Sequence, residues 1–198
     1  MRQYLTFLVI ITYVQVWGQS YIPYDVASHQ LQGQRMDNIE LINSYKFSDL
    51  EFYIGKAING GQPLKMIIKR KDKILGEIFA PDDTFYFRPT FYTNKVNGSP
   101  LIILCESGSE YYWGQRVVII KNYNVKVIGD INIGQLNSNG EIQTIIECTR
   151  INQGLRKITI SFECNDLILD PGTKNERHIK MNTLYYEIDN DRLTRIEY

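Results

Sequence analysis

The stretch Lys157-Ile158-Thr159-Ile160-Ser161-Phe162-Glu163-Cys164 decides the fold class. Ile158, Ile160, Phe162 and Cys164 fall at every second position, with Lys157, Thr159, Ser161 and Glu163 between them. Successive side chains of a strand point to opposite faces, so this spacing gives one face for a core and one for water. A partner strand is expected in 141–149, where Ile142, Ile146 and Cys148 share a face, joined to 155–164 around Asn152-Gln153-Gly154.

Outward from this pair the same pattern runs back to Leu50 and on to the C-terminus. Strands are expected at 50–57, 64–70, 73–79, 84–92, 100–106, 116–121, 125–133, 141–149, 155–164, 166–170, 178–188 and 192–197. Between them stand Asn59-Gly60-Gly61, Pro81-Asp82-Asp83, Asn122-Tyr123-Asn124, Asp170-Pro171-Gly172 and Asp189-Asn190-Asp191. Gly, Asn and Asp supply positive φ, and Pro fixes φ in turns. Leu101-Ile102-Ile103-Leu104 and Val117-Val118-Ile119-Ile120 do not alternate, which places those strands in the centre, buried on both faces. Composition agrees: 28 Ile stand against 3 Ala, with 14 Tyr and 8 Phe. β-Branched and aromatic residues suit a pleated, half-buried surface, while the best helix former is nearly missing.

The fold class expected is all-β and mainly antiparallel, a β-sandwich or barrel-like single domain over 49–198. Residues 19–48 read as an irregular segment or a short helix carrying Leu31, Met36, Ile39, Leu41 and Ile42. A weak echo links Ile67-Ile68-Lys69 and Gly76-Glu77-Ile78 to Ile119-Ile120-Lys121 and Gly129-Asp130-Ile131. It reads as two similar hairpins, with a small propeller-like repeat as the alternative.

The first eighteen residues read as an address. Arg2 precedes a mostly apolar run from Tyr4 to Val16, and Val16 and Gly18 are small enough to flank a cleavage site. A signal peptide cut after Gly18 places the mature chain outside the cytoplasm, secreted or periplasmic, with no membrane span after cleavage. Three cysteines follow, so at least one thiol stays unpaired. With the turn centred on Gln153, Cys148 and Cys164 lie six residues apart along the strands. At about 3.3 Å per residue that is roughly 20 Å, too far for a bridge. A bridge from Cys105 to either one stays open.

The charges balance, 22 Lys+Arg against 22 Asp+Glu, which argues against a nucleic-acid partner. Glu106-Ser107-Gly108-Ser109-Glu110 lacks the Gly-x-Ser-x-Gly of a nucleophile elbow, and His29 and His178 have no spacing to a nucleophile. Asp130 to Glu141 has the length of a calcium-binding loop, but Gly134 and Gln135 stand at its fifth and sixth positions, so a strand end and an Asn-Gly turn are expected there. No cofactor and no metal are expected. The aromatic runs Phe85-Tyr86-Phe87-Arg88-Pro89-Thr90-Phe91-Tyr92 and Tyr111-Tyr112-Trp113 stand out. Alternation puts Phe85, Phe87 and Phe91 in the core, and Tyr86 and Tyr92 on the exposed face. The candidate binding residues are therefore Tyr86, Tyr92, Tyr111, Tyr112 and Trp113, facing an unknown protein or glycan. The function expected is a non-enzymatic binding protein of the inhibitor or immunity type. Two other classes stay open: a hydrolase of envelope or extracellular glycans using paired carboxylates, and a structural component of a surface assembly.

Overall fold

The 157–164 alternation appears as a strand whose Ile158, Ile160 and Phe162 are all buried. The computed structural model describes residues 19–58, 63–109 and 112–198; the signal-peptide reading of 1–18, the Asn59-Gly60-Gly61 turn and Tyr111 lie outside them. The chain runs through β1 (Gln19–Ser20), β2 (Ile22–Tyr24), β3 (Ser28–Gln30), β4 (Arg35–Met36), β5 (Ile39–Phe47), β6 (Leu50–Ala57), β7 (Lys65–Arg70) and β8 (Lys73–Phe79). It continues with β9 (Tyr86–Thr93), β10 (Leu101–Gly108), β11 (Tyr112–Lys121), β12 (Asn124–Ile131), β13 (Ile133–Leu136) and β14 (Ile142–Gln143). A single 3-10 turn, Ile146–Cys148, leads into β15 (Thr149–Gln153), β16 (Ile158–Phe162), β17 (Leu167–Leu169), β18 (Arg177–Ile179), β19 (Leu184–Asp189) and β20 (Arg192–Glu197). No helix among the described residues is long and apolar enough to cross a membrane.

The strands form antiparallel sheets stacked as a sandwich. A central sheet, ordered β12-β11-β10-β9-β2, is covered on one face by β3-β5-β6-β7-β8 and on the other by β1-β15-β16-β19-β20, with a small sheet β14-β13-β17-β18 beside the latter. The non-alternating runs explain the layering. Along β10, Ile103 and Cys105 join Phe52, Met66 and Ile68 in one core, while Ile102 and Leu104 join Ile151, Ile160 and Phe162 in the other. Both faces of β10 and β11 are therefore apolar, as expected of central strands. Phe91 anchors the first core, its ring 4.8 Å from Phe52 and 5.9 Å from Phe47. Truncating a buried Phe to Ala typically costs about 3–5 kcal/mol.

The echoed segments are β7–β8 and β11–β12, hairpins in adjacent layers. Each has a register shift beside a glycine, Gly76 opposite Ile68 and Gly129 opposite Val117. A Cβ on Gly76 would meet Val125 at 3.2 Å, and one on Gly129 would meet Leu193 at 3.2 Å. These two glycines let the layers approach closely on both sides of β12.

No helix forms within residues 19–48. Residues 35–47 are β4 and β5, joined through Asp37 at φ 52°. A bulge between Leu41 and Asn43 interrupts the alternation of β5, and that interruption imitates a helical spacing. The preceding residues are ordered as well: β1 joins one outer sheet, β2 the central sheet and β3 the other outer sheet, so the segment crosses all three layers.

The cysteine expectation is overturned. β15 and β16 pair Thr149 with Phe162 and Gln153 with Ile158, so the turn occupies the four residues 154–157 and does not centre on Gln153. That displacement brings Cys148 and Cys164 to a Cα separation of 5.4 Å, and they are disulfide-bonded. Cys105 is the free thiol, fully enclosed, and burial pushes its pKa well up, so it packs as an inert apolar group.

Candidate functional site

β10, β11 and β12 run the length of the central sheet and present two ends. One is made of hairpin tips: Asn122-Tyr123 between β11 and β12, Asn190-Asp191 between β19 and β20, Ser48-Asp49, Lys71-Asp72, and the 154–157 loop. Asn122, Tyr123, Asn190 and Asp191 all have positive φ, the conformation that two-residue hairpins of this twist require. The tips touch one another. Arg70 stacks on the Tyr123 ring at 3.6 Å, Asp49 accepts from Arg70 Nε at 2.7 Å and from the Tyr123 hydroxyl at 3.3 Å, and Lys126 pairs with Asp191. The Arg70 guanidinium holds the Asp49 carboxyl below its usual range.

Three of these tips enclose an open cavity of about 580 Å³. Lys121 and Lys126 reach it from the central sheet, and Arg156 and Lys157 from the 154–157 loop; Asp191 is the single acid in its wall. Leu155, 84% exposed, stands on its rim. Gln153 lies in the wall with its carbonyl oxygen already accepting from Tyr21 and Ser99, which leaves its NH₂ group as a donor.

At the opposite end the charges are paired within the protein. Glu106 pairs across the sheet with Arg88 on β9 and Gln115 on β11, so the three side chains share a face. Glu106 is 7% exposed and Gln115 1%. Among the described residues Glu106 Oε1, both Gln115 amide atoms and the Tyr112 hydroxyl have no hydrogen-bond partner. Nearby, a cavity of about 390 Å³ brings Asp130 and Asp170 into one wall. Each is held by an arginine: Arg116 makes a two-pronged contact with Asp130 at 2.8 and 3.0 Å and also donates to the Phe79 carbonyl, and Arg195 lies 3.5 Å from Asp170.

The aromatic candidates are placed differently from the expectation. Tyr92 is 1% exposed and Tyr112 3%, both inside the core between the central sheet and its neighbour. The exposed-tyrosine reading fails at these positions because β9 is a central strand with protein on both faces. Its Phe face and the Tyr92 end of its Tyr face are covered, Arg88 is exposed, and Phe85, just before the strand, is 75% exposed. Burial raises the Tyr92 and Tyr112 hydroxyls well above their ordinary pKa, and the Glu106 carboxylate adds to the effect. Tyr86 is half-buried beside Arg88, its hydroxyl also raised by burial and by Glu106. Trp113 belongs to β11, and Tyr111 lies outside the described residues.

Other sequence candidates resolve simply. Ser107 is buried within β10, not in a surface loop, and His29 and His178 are exposed on short edge strands. In 130–141, Asn137 Oδ1 accepts from the backbone N–H groups of Asn139 and Glu141, and its amide donates to Glu141 Oε2, so those oxygens close a turn. Among the described residues no group of three His, Cys, Asp or Glu side chains gathers to hold a metal ion. The sequence reading missed Lys121, Lys126, Arg156 and Lys157; the signal was a cation beside each of two turns whose tips meet.

What fold and site define together is an all-β antiparallel sandwich with a cationic cavity at its hairpin tips. No family model, characterised protein or solved structure matches the chain.

Proposed function

We propose that this chain is an exported, non-enzymatic binding protein of the inhibitor or immunity type that engages its partner through the hairpin-tip end. Export is supported by the address-like first eighteen residues and by the Cys148–Cys164 disulfide, a bond that persists in oxidising compartments. The observation that carries the reading is the tip cavity. Three hairpins from two sheets converge on it, and Leu155 stands almost fully in water at its rim, where the fold itself gains nothing from an apolar side chain. The test is capture from the host's exported fraction with wild-type bait and with Leu155→Asp. A protein or glycan held by the wild type and lost by the variant supports the reading; capture that ignores the substitution removes the tip surface from it.

The glycan-hydrolase reading has one observation in its favour, the shared wall of Asp130 and Asp170. Glycoside hydrolysis needs one carboxyl protonated and the other free to attack or to activate water. Arg116 and Arg195 instead engage both carboxylates as ion-pair partners within the fold. Asp130→Asn and Asp170→Asn should leave capture intact; a glycan-cleaving activity abolished by either would favour the hydrolase.

A further inference from the structure

We propose that the hairpin-tip cavity binds the dianionic head of a phosphate monoester carried on a polar molecule such as a sugar. This rests on the reading of the tip end as the binding surface and adds the chemistry of its ligand. The chain is neutral as a whole, yet the cavity wall holds four cations and one acid. Two of the cations are already answered, Lys126 by Asp191 and Lys157 by Glu187. Lys121 and Arg156 have no carboxylate within 4 Å among the described residues. Two unanswered positive charges in one concavity match a group carrying about two negative charges, and a phosphate monoester carries roughly −1.5 to −2 at neutral pH.

The neutral lining points the same way. Asn122, Asn124 and Asn190 bring amide groups to the wall, and Gln153 offers its NH₂ because Tyr21 and Ser99 occupy its oxygen. Phosphate oxygens accept several such bonds at once, and a sugar's hydroxyls exchange both donors and acceptors with amides. Lys121 and Lys126 flank the β11–β12 turn of the central sheet and Arg156 and Lys157 share one loop of an outer sheet, and pairing within either sheet does not require the two sets to line one cavity.

The test is calorimetric titration of the full-length chain, purified as its host processes it, with glucose 6-phosphate, inorganic phosphate, glucose 6-sulfate and glucose. Glucose 6-phosphate should bind most tightly, inorganic phosphate more weakly, the singly charged sulfate ester more weakly again, and glucose not at all. Lys121→Glu/Arg156→Glu should weaken glucose 6-phosphate at least about tenfold, the loss expected for charge-assisted hydrogen bonds. Lys174→Glu/Lys180→Glu, exposed residues outside the cavity wall, makes the same change in net charge and should leave affinity unchanged. Thermal melts confirm that both variants fold. No binding of any phosphate compound, or equal weakening by the two double variants, overturns the ligand assignment. If Leu155→Asp abolishes capture while phosphate esters do not bind, only the ligand class falls; if capture survives Leu155→Asp, the surface itself is wrong.

Discussion

The two ends of the central sheet are built from the same three strands and differ in what they do with charge. At the tip end, cations from separate hairpins converge on open space, and two of them are unanswered. At the opposite end, Arg88, Arg116 and Arg195 each face a carboxylate, and Glu106, Tyr112 and Gln115 are sealed beneath the neighbouring sheet. About six residues of β11, or some 20 Å, separate them. One end pairs its charged side chains within the protein and keeps its unpartnered polar atoms buried, and the other leaves two cations unpaired beside open space. Sequence cannot distinguish the two, since both are stretches of mixed charge beside apolar strands.

The comparison breaks first where the opposite end is held together. The Cys148–Cys164 link closes a segment with a sequence separation of 16 next to the small sheet. Cys148→Ser/Cys164→Ser should cost about 3 kcal/mol, the chain-entropy value for a loop of this size, read as a lower urea midpoint. Ligand binding at the tips should survive in the fraction that remains folded.

Alkali should act on the same half of the molecule. Burial pushes the Tyr186 hydroxyl up to about 12, and raises Tyr92 and Tyr112 as well. A tyrosine whose folded pKa exceeds its unfolded value of about 10 leaves stability untouched below pH 10 and erodes it as pH climbs from there to the folded value. For Tyr186 the loss is about 2–3 kcal/mol, complete above pH 12. Phenolate absorbance should therefore rise in two stages, exposed tyrosines first and the buried ones together with unfolding. A single stage with the buried rings ionising in the native state would contradict the enclosure described for them.

Gln115→Leu sharpens the contrast further. The side chain is nearly the same size, and the change removes two unpartnered buried polar atoms, so stability should rise by about 1 kcal/mol. A fall of that size would instead reveal an ordered water satisfying the amide. The smallest effect is expected at Leu155→Asp, within about 0.5 kcal/mol of wild type, because its side chain is already in water. Its consequence should appear in capture alone.

Much of the architecture was legible from Ile158-Thr159-Ile160-Ser161-Phe162, whose alternation made an outer strand, and from Ile102-Ile103-Leu104, whose lack of alternation made a central one. The errors arose where one local irregularity shifts everything after it. A bulge at Ile42 turned a strand into an apparent helix, and a four-residue turn at 154–157 moved Cys148 from a remote register to bonding distance of Cys164. The burial of Tyr92 and Tyr112 was illegible for a topological reason. Alternation in Tyr86 to Tyr92 says that two faces exist, and only the strand order shows that protein covers Tyr92 on the second face. Lys121 and Arg156 were illegible as a pair because they are 35 positions apart and line one cavity only through the packing of two sheets.

The most direct test installs a benzophenone amino acid at one of two exposed positions, Leu155 at the tips or Thr173 beside the opposite cavity, in the chain expressed by its own host. Benzophenone inserts into C–H bonds, so it reports a protein or a glycan alike. The account predicts a light-dependent adduct from position 155, absent from position 173. An adduct from 173 alone would place the working surface at the opposite end and contradict it.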